Sequence, residues 1–172
     1  MKHNSNITKL FITLIIIAFC SSQSHADDSI HIMASTPYSE DNRVAYKIIK
    51  ECTALGDKLS SFTQSFAEKR GIKVVLDNSI NSSSGKVLQL EITNAVSRGN
   101  AFLGHSKFVA VRGTLWENGK RIASFDGQRT SMGGFAAAYK SSCSVLGRCV
   151  KALGKDIAAW LDSPVDRVSL GD

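Results

Sequence analysis

Residues 107–129 read KFVAVRGTLWENGKRIASFDGQR. Two runs rich in β-branched and aromatic residues, Lys107 to Trp116 and Lys120 to Arg129, flank Glu117-Asn118-Gly119. Asn-Gly supplies the positive φ angles of a two-residue turn, so the stretch predicts an antiparallel hairpin. Hinged there, the strands set Trp116 opposite Arg121, Thr114 opposite Ala123, Arg112 opposite Phe125 and Phe108 opposite Arg129. Val109, Val111, Leu115 and Ile122 then share the other face, the side expected under helices. The pairing leaves an arginine and aromatic ladder of Phe108, Arg112, Trp116, Arg121, Phe125 and Arg129 facing solvent, a surface suited to stacking or to anions. Long Arg stems shielding aromatic rings would produce the same pattern with no ligand at all.

Upstream of the hairpin, Val87 to Val96 alternates Leu88, Leu90 and Ile92 with Gln89, Glu91 and Thr93, the period of a strand with one buried face. Ile72 to Asp77 and Ser29 to Ser35 read as shorter strands. Between those two, Val44, Ile48, Cys52, Leu55, Leu59, Phe62 and Phe66 recur at three- and four-residue steps, the stripe of one amphipathic helix. The polar cluster Ser39-Glu40-Asp41-Asn42 suits its start, Gly56 a bend and Gly71 its stop. Residues 97–106 read as a Gly-bearing connection. Downstream, Gly133 to Ser142 is loose and rich in small residues. Leu146, Val150, Leu153, Ile157 and Leu161 then mark a second helix that ends before Pro164. The order β-α-β-β-β-β-α predicts an α+β two-layer sandwich: a mixed or mainly antiparallel sheet with two helices on one face and the other face open.

The N-terminus has the zones of an export signal: basic Lys2 and Lys9, the apolar run Leu10 to Phe19, then Ser24-His25-Ala26 with small residues at the positions a signal peptidase inspects. The run is too short to span a bilayer as a helix. Residues 1–26 are therefore expected to be a signal peptide and 27–172 a single domain, exported and most simply periplasmic. The competing reading is a lipid anchor at Cys20, where Ile17-Ala18-Phe19 departs from the usual pattern through bulky Phe19. The chain holds 21 Lys and Arg against 15 Asp and Glu; the signal accounts for two basic residues and no acid, leaving 19 against 15. That mild excess excludes a nucleic-acid footprint and suits solubility or contact with an anionic envelope polymer.

Cys20 leaves with the signal, so Cys52, Cys143 and Cys149 remain, an odd number that implies one bridge and one thiol in an oxidising compartment. Cys143 with Cys149 is the favoured pairing, possible only if the chain between them is not a regular helix; Cys52 with either is the alternative. No metal set is expected, because there is no close Cys pair and His31 and His105 are remote in sequence. Gly133-Gly134 through Lys140-Ser141 lacks the glycine of a phosphate loop at Tyr139, so no nucleotide cofactor is expected. Neither His31 nor His105 stands in a catalytic motif, and the carboxylates Glu91, Asp126 and Asp156 have no informative spacing.

Arg98 to Gly104, Asn118-Gly119-Lys120 with Ser124-Phe125, Arg129-Thr130-Ser131, and Cys143 to Cys149 through Ala152 to Leu161 resemble uncharacterised bacterial secreted proteins. That family implies no activity. The element order is also similar to the N-terminal domain of the translocation protein TolB and related envelope lipoprotein domains, a likeness of topology. The combined expectation is a non-enzymatic envelope accessory or binding protein whose partner is an envelope protein or anionic polymer. The alternatives are a small envelope hydrolase using His105, and a structural oligomer.

Overall fold

The hairpin supplies the fourth and fifth strands across the sheet in the computed structural model, which describes residues 28–40, 44–97, 107–131 and 141–172. Its strands are β4, Lys107–Glu117, and β5, Lys120–Ser131, joined at Asn118 (φ 49°) and Gly119 (φ 81°) as the Asn-Gly pair requires. Around it the chain runs β1 (Ile30–Met33), α1 (Tyr46–Glu51), α2 (Leu55–Glu68), β2 (Val74–Asp77), β3 (Lys86–Ser97), β4, β5, α3 (Ser142–Asp162) and β6 (Val168–Gly171). The six strands lie in the order β2-β1-β3-β4-β5-β6. The β3-β4-β5 pairs are antiparallel; β2-β1, β1-β3 and β5-β6 are parallel. The expected α+β sandwich is therefore present, and its sheet is mixed. β6 extends it by a strand that the sequence pattern did not announce.

α2 and α3 pack against each other and cover one face of the sheet. Ile32, Leu88, Ile92, Val109 and Val111 from the sheet meet Leu59, Leu146, Val150, Leu153 and Ile157 from the helices in one core. Each long element has one apolar face and must bury it, and this layering does so for all of them. No helix among the described residues is long and apolar enough to cross a membrane.

The single N-terminal helix expected from Val44 to Phe66 is two helices. The break falls at Cys52–Ala54, where the Cys52 amide donates to Ile48 O and the Leu55 amide to Cys52 O. It does not fall at Gly56, which stays helical because it packs on the strand-to-helix connection: a Cβ there would stand 2.2 Å from Thr36 O. Phe62 and Phe66 are half-buried, and Leu59, Thr63 and Ala67 form the inner stripe of α2.

The hairpin register departs from the simple two-residue count. Trp116 faces Arg121 as expected, but a bulge follows, and Leu115 pairs with Ala123, Thr114 with Ser124, Gly113 with Phe125 and Arg112 with Asp126. One extra residue on one strand sends every later side chain to the opposite face. Ile122, expected in the core, is 41% exposed, whereas Phe125, expected on the open face, is 1% exposed. The reason is a fit: a Cβ on Gly113 would lie 2.2 Å from the Phe125 ring, so the glycine makes room for it. Phe125 then meets the Trp160 ring edge to face at 4.8 Å and 67°. Phe108 faces Thr130, and Arg129, opposite Val109, points to the helix side. The ladder is thus broken at Phe125 and Arg129.

The bridge joins Cys52 to Cys143, with Cα atoms 5.3 Å apart, and Cys149 is free and buried. The favoured Cys143–Cys149 pairing fails because α3 starts at Ser142 and holds both cysteines in one regular helix, where positions six apart diverge. The break after α1 carries Cys52 to the N-terminal end of α3 instead.

Candidate functional site

Of the expected contact residues, Phe108, Arg112 and Trp116 stay on the sheet face away from the helices, and Arg121 lies beside the turn. None of the three arginines is electrostatically free. Arg112 Nε donates to Asp126 Oδ1 at 3.2 Å, an exposed pair worth at most about 1 kcal/mol. Arg121 binds both oxygens of Asp166, at 2.6 and 3.3 Å, and donates to Ser124 Oγ at 2.6 Å. Desolvation is the largest single influence on the Asp166 carboxyl and would raise it, but the Arg121 guanidinium and the Ser124 hydroxyl together outweigh it and hold the carboxyl below the usual aspartate range. Arg129 forks onto Asp156 at 2.8 and 3.0 Å and reaches Asp172 at 2.6 Å, and those contacts raise its pKa. It ties α3 and the C-terminus to β5. Trp116 Nε1 donates to Gln89 Oε1 at 2.7 Å, which fixes the indole across β3.

Among the described residues, two adjoining depressions open on this side of the sheet near β1. One, about 420 Å3, is lined by Met33, Pro37, Ile80, Leu90, Glu91 and Arg112 among others. It forms because β1 pairs with β3 only at Lys86 and Val87 before the chain swings out and returns at Tyr38, which bridges to Ile92. The other, about 560 Å3, lies between β1 and the 79–85 connection and carries Asp28, His31, Asp77, Lys86 and Glu117. Ile80 lines both, so the two adjoin. The wall is anchored to the hairpin tip: the Asn118 amide donates to Gly85 O, the Gly119 amide to Ser82 O, and the Gly85 amide to Asn118 Oδ1. Lys86 pairs with Asp28 and stands 3.9 Å from Glu117; the hydrogen bond to Asp28 is the main cause of its raised pKa.

Inside the larger depression the fold assembles a group that sequence reading missed. His31 Nδ1 lies 2.6 Å from Asp77 Oδ2, and His31 Nε2 lies 3.2 Å from Ser29 Oγ. The order Ser, His, Asp is that of a nucleophilic relay. Ser29, however, is 1% exposed and absent from the cavity wall, so its hydroxyl is closed to a substrate. What the contacts achieve is to lock the imidazole at the wall from both nitrogens. Ser29 stands just before β1, two residues from His31, the spacing at which extended chain returns to one face and so a readable signal; Asp77 joins them only through the parallel β1-β2 pairing. His105, Cys20, residues 1–26 and the joint at 133–140 lie outside the described residues. Among the described residues no group of His, Cys, Asp or Glu could hold a metal ion.

No family model matches the chain, and no curated protein sequence matches it. Solved structures similar to it include a minor lipoprotein from Acinetobacter baumannii (10% identity, 79% of this chain and 93% of that one, TM-score 0.45). Others are the PelC dodecamer from Paraburkholderia phytofirmans (14%, 74% and 86%, TM-score 0.46) and a lipoprotein from Neisseria meningitidis (14%, 76% and 98%, TM-score 0.46).

Proposed function

We propose that this chain is an exported, non-catalytic accessory domain of the bacterial envelope that binds a protein partner across the open face of its sheet. Export rests on the signal pattern of residues 1–26, and the Cys52–Cys143 bridge suits an oxidising compartment. The observation that carries the binding reading is the open face: one sheet side is buried under helices, and the other presents Trp116, Phe108 and two adjoining depressions joined at Ile80. Its electrostatics favour a protein over a polyanion. Arg112 and Arg121 are answered by Asp126 and Asp166, and Glu91 with Asp28, Asp77 and Glu117 outnumbers Lys86, so the face is polar and aromatic and offers no net positive charge to a polyanion. Aromatic anchors beside neutral polar side chains are the composition of protein contact surfaces.

The test is capture of envelope proteins by the natively purified chain, wild type against Trp116→Ala and Ile80→Ser, with far-UV circular dichroism to confirm the fold. Loss of the same captured partner in both variants supports the reading. Unchanged recovery in both would remove the face from consideration. Light scattering on the same sample separates this from a sheet-paired oligomer, which would run at twice the mass or more.

A further inference from the structure

Among the described residues Lys107 alone is both buried and charged, at 4% exposure. It is the first residue of β4 and points to the helix side, where its Nζ donates to Ser97 Oγ at the end of β3 and to Ser142 Oγ in the first turn of α3, the latter at 3.1 Å. Ser97 Oγ in turn donates to Ser142 Oγ at 2.8 Å. These partners are neutral hydroxyls, and among the described residues no carboxylate forms an ion pair with the amine. A buried ammonium with no counter-charge is unfavourable, and proteins seldom keep one.

The other positive feature here is the N-terminus of α3. This 21-residue helix carries no acidic side chain in its first turn, so the positive end of its dipole is unanswered too. The Ser141 hydroxyl already caps the Ser144 amide. Lys107 spends two of its three protons on the serines, and the Ser142 hydroxyl, which accepts from both Lys107 and Ser97, keeps its own proton to donate. Both serines are only half-buried.

We propose that Lys107, Ser97 and Ser142 at the N-terminus of α3 form a binding site for a phosphate-type oxyanion, either free or as the monoester headgroup of a lipid. A tetrahedral dianion supplies the missing charge and accepts the ammonium, hydroxyl and helix-end donors together. The site lies on the helix side of the sheet, so it stands or falls independently of the open face.

The natively purified protein is unfolded thermally in chloride and in phosphate at equal ionic strength, and the lysine Nζ and serine amide resonances are followed by NMR. Phosphate at ten times its dissociation constant is expected to raise the folded-to-unfolded ratio about eleven-fold, with the Lys107 and Ser142 signals moving. Lys107→Met is expected to abolish both effects, and Ser97→Ala with Ser142→Ala to weaken them. A second arm offers vesicles of phosphatidylcholine with and without phosphatidic acid. Response to inorganic phosphate alone identifies a soluble ligand, and response to phosphatidic acid vesicles alone a lipid headgroup. No response in either arm overturns the proposal, as does an equal response in Lys107→Met, which would mean an adventitious ion only. If Lys107→Met does not fold, the Nζ shift of the wild type and the response of the serine variants decide.

Discussion

Replacing Cys52 and Cys143 together by Ala opens the covalent ring that spans 91 residues of sequence. By the chain-entropy relation, closing a loop of that length lowers the entropy of the unfolded chain enough to stabilise the fold by about 4.6 kcal/mol at 25 °C. With a urea dependence of about 2 kcal/mol per molar, the unfolding midpoint of the double variant should fall by roughly 2 M. Reduction of the parent with dithiothreitol should produce the same loss. Cys149→Ala leaves the ring closed, so it should shift the midpoint far less, by the small cavity it creates. Alkylation in denaturant without reductant should label Cys149 alone among these three. A peptide map joining Cys143 to Cys149, or a double variant as stable as the oxidised parent, would refute the reasoning.

Burial pushes the Cys149 thiol up to about 11, with Asp172 adding to the rise, so in the folded protein it should resist iodoacetamide at pH 8 and react at once on unfolding. Gly113→Ala forces a Cβ to 2.2 Å from the Phe125 ring and should cost about 1–3 kcal/mol in a thermal unfolding experiment. The C-terminal strand should loosen in acid. The Thr130 amide at 2.7 Å, and then Arg129, hold the Asp172 carboxyl below the usual aspartate range. A depressed folded pKa means a contribution present above the ordinary value and lost as pH falls through the lowered one. Amide protection in β6 should therefore hold at pH 5 and decline below about pH 4, ahead of β3 and β4. Arg129→Ala should reproduce that loosening at neutral pH.

Much of the architecture was legible in local pattern. The Asn118-Gly119 turn, the alternation of Leu88, Leu90 and Ile92, and the stripe from Leu146 to Leu161 each reflect a geometric period set by the backbone. Those signals located the central strands and α3, whose observed ends lie within a few residues of the expected ones. The candidate site was legible only in part. Phe108, Arg112 and Trp116 could be assigned to the open face because β4 alternates without interruption. Arg129 and Phe125 could not, because a single bulged residue reverses the faces of everything beyond it and leaves no mark in composition.

By itself the sequence determined the layers, the hairpin and its turn, and the odd number of cysteines after the expected signal, since each follows from neighbours along the chain. Tertiary structure decided which cysteines join, which face Phe125 takes, where Asp77 meets His31, and that Lys107 is buried among hydroxyls. Each of those is a meeting of residues distant in sequence, fixed by strand order and by the fit of one side chain into the space another leaves. No local period encodes such a fit.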